Sequence, residues 1–229
     1  MSSIKSSLLF HLYVLLAILV LYNLYTLIAI FHLPVSSVFP TQTSGATPYE
    51  FLMFTQQWPK AVNESSPLAQ FTIHGLWPSK YKSGPVLRCN GTDFDENKMT
   101  PDLEKKLNIS WPDVEKGNNM GFWEYEYNKH GRCSEETFSQ TEYFELANKM
   151  WGKLDIAQML ANRSIVPGKN YTTSEVVAAI KKATQHNITI RCKGQILHEV
   201  IVCYDHDGKQ VIDCDRDKSN CGQSISYVK

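Results

Sequence analysis

Six cysteines set the strongest limit on how this chain can fold. They stand at positions 89, 133, 192, 203, 214 and 221, and none lies in the first 46 residues. An even number of cysteines confined to one part of a chain is typical of disulfide-bonded proteins that fold in an oxidising compartment. We therefore expect three disulfides, all of them within residues 47–229.

The first 46 residues differ from the rest of the chain in composition. Lys5 is their only charged residue, and residues 8–33 are almost continuously apolar. A charged start followed by an apolar stretch is typical of a signal peptide. We therefore expect residues 1–46 to be a signal peptide and linker, and the protein to be secreted and extracellular. Because apolar runs of about 20 residues can cross a bilayer, an uncleaved membrane anchor is the alternative. Cleavage would leave no stable membrane association.

Six Asn-x-Ser/Thr tripeptides follow this segment. On the secretory route such tripeptides are acceptors for N-glycosylation, so we expect a glycoprotein. The predicted acceptors are Asn63, Asn90, Asn108, Asn162, Asn170 and Asn187.

The overall charge of the chain is balanced. Twenty-three basic and 23 acidic residues give a formal net charge of +0 at pH 7. No strong overall field then draws the protein to nucleic acid or to an anionic membrane. Any nucleic-acid chemistry must come from a local site.

Local patterns predict strands at both ends of the domain and helices in its middle. Apolar and alternating stretches predict strands over residues 49–58, 70–74, 188–192, 196–204 and 210–213. Helices are predicted after Thr100–Pro101, over residues 122–130 and 141–160, and after a capping box of Thr172 and Glu175. This order predicts a single α+β domain over residues 47–229, in which helices pack on a central antiparallel sheet.

One hairpin allows its register to be predicted. If Gly208 and Lys209 form a two-residue turn, residue 207 pairs with 210 and Cys203 lies opposite Cys214. This register predicts a disulfide between those two cysteines.

Two segments carry side chains suited to proton transfer. In the first, His74 ends a predicted strand, and the following glycine lets the backbone turn. In the second, Glu126 and His130 are four residues apart, as are Tyr125 and Lys129, so a helix places them on one face. Taken singly, each segment is also typical of a structural histidine or of a solvated helix face.

Other kinds of catalytic site receive little support. There is no His-Glu-x-x-His pattern, and His198 and Glu199 lie in a predicted strand without a paired ligand at metal spacing. No Gly-x-Ser-x-Gly elbow of a serine hydrolase occurs either. The sequence predicts no metal site and no cofactor.

Together the two segments resemble the active-site segments of the ribonuclease T2 family, secreted endoribonucleases that cut single-stranded RNA without a metal. They read FTIHGLWP from Phe71 and FWEYEYNKHGRC from Phe122. The likeness extends from Tyr49 to Tyr227. Within the family it is greatest to the plant self-incompatibility ribonucleases of the pistil, through residues 51–59 and 197–216.

The resemblance implies that the RNA 2′-hydroxyl attacks the adjacent phosphorus and that a 2′,3′-cyclic phosphate forms. This reaction needs a base, an acid and positive charge beside the phosphate. The resemblance implies that His74 and His130 supply the acid and the base. We assign His130 as the base and His74 as the acid, a choice that the sequence alone does not justify. Lys129 would stabilise the phosphate, and Glu126 would orient or tune His130.

The resemblance also implies substrate-binding residues. Trp77 and Phe122 would offer flat surfaces on which bases stack. Tyr125 stands where many members have a third histidine, so one phosphate contact is altered, although a phenol still donates a hydrogen bond. Ser79 stands where an aspartate often contacts a base, so base preference is open.

The family also implies how the cysteines pair. A cysteine pair that relatives carry between the first strand and the first motif is missing from Ala61–Gln70. The three remaining bridges implied by the family are Cys89–Cys133, Cys192–Cys221 and Cys203–Cys214.

Three roles fit such a protein, which we expect to be a monomer acting on single-stranded RNA. One is the pistil determinant of self-incompatibility, with a pollen-side recognition protein as partner. The near-zero net charge of this chain weighs against this role, because pistil ribonucleases are typically basic. The second is a phosphate-scavenging or defence ribonuclease. The third is a catalytically silent binding protein, against which the intact His74, Glu126, Lys129 and His130 argue.

Overall fold

The computed structural model describes residues 15–16, 18–23, 48–214 and 218–229. The chain divides into two compact units, Met1–Gly45 and Ala46–Lys229. In the first unit the described residues are helical, and most of the predicted signal segment lies outside them. Among the described residues, no helix is both long enough and apolar enough to span a bilayer.

A mostly antiparallel sheet forms the centre of the second unit. Its main path runs β3-β2-β1-β6-β8-β4, and β5 and β7 also pair with β6. A parallel bridge joins β6 to β8, while the other pairings are antiparallel. The strands are β1 Phe51–Gln57, β2 Thr72–Lys80, β3 Gly84–Pro85, β4 Lys169–Thr172, β5 Thr189–Lys193, β6 Ile196–Tyr204, β7 Val211–Ile212 and β8 Ser224–Tyr227.

The helices follow one another in the middle of the unit. They are α1 Pro59–Val62, α2 Pro101–Ser110, α3 Asn119–Lys129, α4 Gln140–Lys153, α5 Ile156–Ala161 and α6 Thr173–Thr184. Short 3-10 helices cover Glu96–Lys98 and Gly131–Ser134. The predicted α+β fold with a central, mostly antiparallel sheet is confirmed.

The two faces of the sheet pack against different cores. On β1, Leu52 and Phe54 belong to the large core that also contains the buried faces of the helices. Phe51 and Met53, which alternate with them, belong to a smaller core with Trp77 on the opposite face. This alternation is the two-residue period of a strand. Because both faces are covered, all seven residues of β1 are buried.

The helix starts predicted at Thr100 and Thr172 are confirmed, the helix predicted from Phe122 begins earlier, at Asn119, and one long predicted helix is divided. The Thr100 hydroxyl accepts a hydrogen bond from the Leu103 amide at the start of α2. Thr172 and Glu175 form the predicted capping box of α6. The helix predicted over residues 141–160 breaks after Lys153, because Asp155 accepts a bond from the Gln158 amide and caps a new helix.

The predicted end of β2 at His74 is wrong. The strand continues to Lys80, and its pairing with β1 skips His74 in a bulge, since Thr55 lies opposite Gly75 and Gln56 opposite Ile73. A bulge re-aims a side chain without ending the strand. It therefore changes the direction of His74 within a continuing strand.

The predicted hairpin register is also wrong, by two residues. Cys203 lies opposite Ile212 and Tyr204 opposite Val211. The loop is longer than predicted because the Asp205 carboxylate accepts bonds from the amides of Lys209 and Gln210. Gly208 contributes the left-handed residue of this loop, at φ 65°. The strands β3, β4 and β8 were not predicted.

Three disulfides cross-link the domain. They join Cys89 to Cys133, Cys192 to Cys221, and Cys203 to Cys214. These are the pairs that the resemblance implies. Cys203 reaches Cys214 although the register does not place them opposite each other, because Cys214 lies just beyond β7.

Candidate active site

A cavity of about 770 Å³ lies where the sheet meets α3. The sheet side is lined by Gln57, His74, Lys193 and His198. The helix side is lined by Phe122, Tyr125, Glu126 and Lys129, and the loop before α3 closes a third side with Asp113, Val114, Glu115, Lys116 and Asn118. Both predicted segments therefore meet at this cavity.

His74 is held by contacts on its main chain and on its ring. Its carbonyl accepts a hydrogen bond from the Trp111 indole at 3.0 Å. Its Nδ1 lies 2.5 Å from the Glu199 carboxylate. Burial lowers the pKa of His74, but the hydrogen bond and charge of Glu199, with the charge of Glu126, outweigh it and raise the pKa above its usual 6.5. His74 therefore favours the protonated form.

Glu199 is a buried carboxylate on β6. It is 4% exposed, and its oxygens lie 3.9 Å from the Arg191 guanidinium and 4.0 Å from His198 Nδ1. Burial raises the pKa of Glu199, but the hydrogen bond and charges of His74, with His198 and Arg191, lower it overall. A buried carboxylate kept ionised in this way needs a partner, and His74 is its hydrogen-bond partner.

Side chains on one face of α3 line the cavity. Phe122, Glu126 and Lys129 stand at positions i, i+4 and i+7, and Tyr125, which also lines the cavity, stands at i+3 of the same helix face. The Phe122 ring stacks on His74 at a centroid distance of 6.1 Å. The Lys129 ammonium lies over the Tyr125 ring, 5.0 Å from its centroid, and Tyr125 is 52% exposed.

Trp77 does not have the exposure that base stacking requires. It is 6% exposed, and its indole N–H donates to Glu126 Oε2 at 2.9 Å. Its ring stacks on His130 at 5.2 Å and meets His74 edge-on at 5.3 Å. In this structure the indole therefore lies between the two histidines, so base stacking on Trp77 would require the ring to become exposed and stays a prediction.

Gly75 permits this arrangement. A Cβ atom there would overlap Trp77 Nε1 and crowd the Glu126 carboxylate. The glycine predicted to turn the backbone instead makes room for the hydrogen bond between the two segments.

His130 lies just past the end of α3, with its amide bonded to the Glu126 carbonyl. It is 4% exposed, does not line the cavity, and its Nδ1 has no hydrogen-bond partner. Burial and the charges of Lys129 and His74 lower its pKa to about 3, although a hydrogen bond to the Val86 main chain opposes the shift. In the part of the chain that the structure describes, Glu126 bonds to Trp77 and not to the His130 ring.

Sequence reasoning missed the sheet side of the site. Glu199, His198, Lys193 and Gln57 were assigned no role in it. One signal was available for Glu199, because it stands in a strand whose other residues are mostly apolar. An acid at such a position needs a buried partner, although the sequence does not say which.

The described residues offer no metal centre. Among them, no three His, Cys, Asp or Glu side chains are grouped so that they could hold a metal ion. All six cysteines are in disulfides.

Known proteins are similar to this chain in sequence and in fold. The sequence profile of the Ribonuclease T2 family matches residues 49–214. Ribonuclease S-6 of Nicotiana alata is 36% identical over 204 residues, covering 82% of this chain and 94% of that protein. A ribonuclease-like storage protein of Panax ginseng is 31% identical over 209 residues, covering 84% and 87%.

A solved structure shows the same architecture. Ribonuclease MC1 from the seeds of bitter gourd superposes with a TM-score of 0.73 at 34% identity, covering 78% of this chain and all of that one. A mutant of that ribonuclease has been solved in complex with 5′-UMP and superposes with a TM-score of 0.72.

Proposed function

The chain belongs to the ribonuclease T2 family and is an endoribonuclease of that type, and on this premise we propose a mechanism in which His74 is the general acid and His130 the general base. The observation that carries the proposal is that two histidines packed on one indole have pKa values displaced in opposite directions. Two titratable groups whose environments separate their pKa values are suited to acid and base roles.

His74 supplies the acid. Its pKa is raised by Glu199 while that of His130 is lowered, so His74 is the histidine of the pair that favours the protonated form. That proton goes to the 5′-oxygen of the departing nucleotide as the P–O bond breaks. Glu199 stabilises the imidazolium and keeps Nδ1 occupied, so that Nε2 is the nitrogen that delivers the proton.

His130 supplies the base. Its lowered pKa keeps it neutral, so a ring nitrogen can accept the proton of the 2′-hydroxyl as that oxygen attacks phosphorus. Because the ring does not line the cavity, the mechanism requires a small rotation of His130 towards the cavity when RNA binds. The product is a 2′,3′-cyclic phosphate. A water molecule then opens it, with the two histidines exchanging roles, and leaves a 3′-phosphate.

The other cavity residues stabilise and position the phosphate and the bases. The Lys129 ammonium offsets the negative charge that accumulates on the phosphate oxygens. Glu126 acts through Trp77, whose ring it holds against His130. Phe122 and the exposed Tyr125 offer the ring surfaces on which a splayed base can stack. The complex of the MC1 mutant with 5′-UMP supports the binding of nucleotides by a protein of this fold.

The mechanism predicts cleavage that depends on the 2′-hydroxyl and not on added metal. A single-stranded RNA oligonucleotide should be cut in the presence of EDTA, and mass spectrometry should detect a terminal 2′,3′-cyclic phosphate. The same oligonucleotide with one 2′-deoxy sugar should resist cleavage at that link alone. Cutting at the deoxy link, or cutting only when a divalent metal is added, would rule the mechanism out. No cleavage at all would favour a silent binding or storage role.

For its biological role, we propose a secreted, glycosylated pistil ribonuclease that acts in self-incompatibility and binds a pollen-side protein. The similarity to Ribonuclease S-6 supports this role. Glycosylation is supported by the exposure of five of the six acceptor asparagines, Asn187 being half-buried.

The organ in which the protein accumulates tests this role. Quantitative mass spectrometry should find it in the pistil style, without its first ~40 residues because the signal peptide is removed. Accumulation in phosphate-starved or infected leaves, with none in the pistil, would instead identify a scavenging or defence enzyme.

A further inference from the structure

We propose that the cavity contains a second phosphate subsite, formed by Lys193 and His198, which binds the phosphate next to the scissile one in the RNA chain. The inference rests on the proposed function, since it adds a contact for the same substrate. It would make the enzyme favour substrates that extend beyond one internucleotide link.

The two residues lie together on a rigid hairpin. Lys193 ends β5, and its partner across the hairpin is Ile196, two residues before His198 on β6. The His198 carbonyl accepts a hydrogen bond from the Trp58 amide at 2.8 Å, which fixes the backbone. Both side chains line the cavity that also holds His74 and Lys129.

Lys193 supplies a positive charge without a local counterion. Its side chain is exposed, and no carboxylate of the described residues lies within salt-bridge distance of it. His198 supplies a hydrogen bond. Burial lowers its pKa despite the opposing charge of Glu199, so its neutral ring has one N–H to donate.

Three acidic side chains line the cavity, and Glu115, which is exposed on the loop before α3, forms no salt bridge with Lys193 in the part of the chain that the structure describes. The Asp113 carboxylate accepts bonds from the amides of Glu115, Lys116 and Asn118, within its own loop. Glu126 accepts from Trp77, and Glu199 pairs with His74. No carboxylate that lines the cavity therefore pairs with Lys193 among the described residues, and a phosphate of the substrate can form that ion pair.

The cavity is large enough for more than the reacting group. At about 770 Å³ it lies in the upper part of the range of roughly 300–1,000 Å³ for sites that enclose drug-sized ligands. His74 lies on the sheet side of the cavity and Lys129 on the helix side, and Lys193 lies with His198 at the end of the β5–β6 hairpin on the sheet side. A nucleotide on either side of the scissile link brings a further phosphate within the same enclosure.

The test compares kcat/KM for a dinucleoside monophosphate with that for the same compound carrying a 5′- or a 3′-terminal phosphate. For the wild-type enzyme we expect one of the two added phosphates to raise kcat/KM by about five-fold, the size of a partly exposed ion pair. In Lys193→Gln and in His198→Gln this ratio should fall towards one. On a longer oligonucleotide, Lys193→Gln should also reduce the slope of log(kcat/KM) against log[salt] by about 0.7.

Lys116→Gln is the matched control, since this lysine lines the same cavity and carries the same charge but lies on the loop before α3. If the ratio fell equally in Lys116→Gln, any positive charge that lines the cavity would have this effect. That result would contradict a specific subsite at Lys193 and His198. A wild-type ratio near one for both added phosphates would overturn it as well. If the wild-type enzyme failed to cleave the longer oligonucleotide as well, the proposed function itself would fail, which is a separate result.

Discussion

Replacing either His74 or His130 with alanine is expected to lower kcat/KM for single-stranded RNA by about 10²–10⁴-fold, because each variant loses one of two proton transfers. His74→Ala loses the protonated imidazole that Glu199 stabilises. His130→Ala loses the neutral imidazole that accepts the 2′-hydroxyl proton. Steady-state cleavage of an oligonucleotide with one RNA link measures both losses.

Two further variants serve as controls for this loss. Glu126→Gln is expected to cost less activity, because Glu126 acts on His130 only through the Trp77 ring. Tyr125→Phe is expected to cost least, since this exposed ring keeps its stacking surface without its hydroxyl. Cleavage at the wild-type rate by either alanine variant, with its fold intact by circular dichroism, would contradict the mechanism.

The pH dependence of the wild-type enzyme distinguishes the two histidines. Activity should fall at high pH as His74 loses its proton, above its usual value of 6.5 because its pKa is raised. It should fall at low pH only as His130 becomes protonated, and burial holds the pKa of His130 near 3. The profile of kcat/KM should therefore be broad and reach well into acid, and its two limbs belong to the coupled pair.

The Glu199→Gln variant tests which limb of the pH profile of kcat/KM depends on His74. Loss of the carboxylate charge lowers the pKa of His74, so the high-pH limb should move to lower pH by about 1–3 units. The low-pH limb should stay in place, because Glu199 does not contribute to the shift of His130. A uniform loss of activity without movement of the limb would indicate a merely structural role for Glu199.

Features set by local sequence could be predicted for this fold. A capping residue acts on an amide two or three residues away, so Thr100 and Thr172 marked helix starts that the structure contains. A mostly apolar stretch marked β6 with the same bounds that it has in the structure. The α+β class followed from the order of these local signals.

Features set by contacts between distant segments could not be predicted. The hydrogen bond from His74 to Glu199 joins residues 125 positions apart. The burial of Trp77 depends on how α3 packs beside β2, which no motif encodes. The hairpin register failed because the Asp205 side chain closed a longer loop than the glycine suggested.

The Cys89–Cys133 disulfide is expected to make the largest contribution of the three to stability. Its cysteines are 44 residues apart, compared with 29 for Cys192–Cys221 and 11 for Cys203–Cys214. By the loop-entropy estimate, changing both Cys89 and Cys133 to serine should lower the free energy of unfolding by roughly 4 kcal/mol. The same change at Cys203 and Cys214 should lower it by roughly 3 kcal/mol. Urea denaturation measures both.

The first disulfide should also affect activity, because it holds the segment that carries His130. The Cys133 amide bonds to the His130 carbonyl, and the Arg88 amide bonds to the Lys129 carbonyl. Cys89 therefore fixes the loop that closes on the end of α3, where Lys129 and His130 lie. In the double variant Cys89→Ser, Cys133→Ser, kcat should fall several-fold under conditions in which the protein is still folded. Unchanged kcat in that folded variant would show that α3 and β2 position the two histidines without the covalent link.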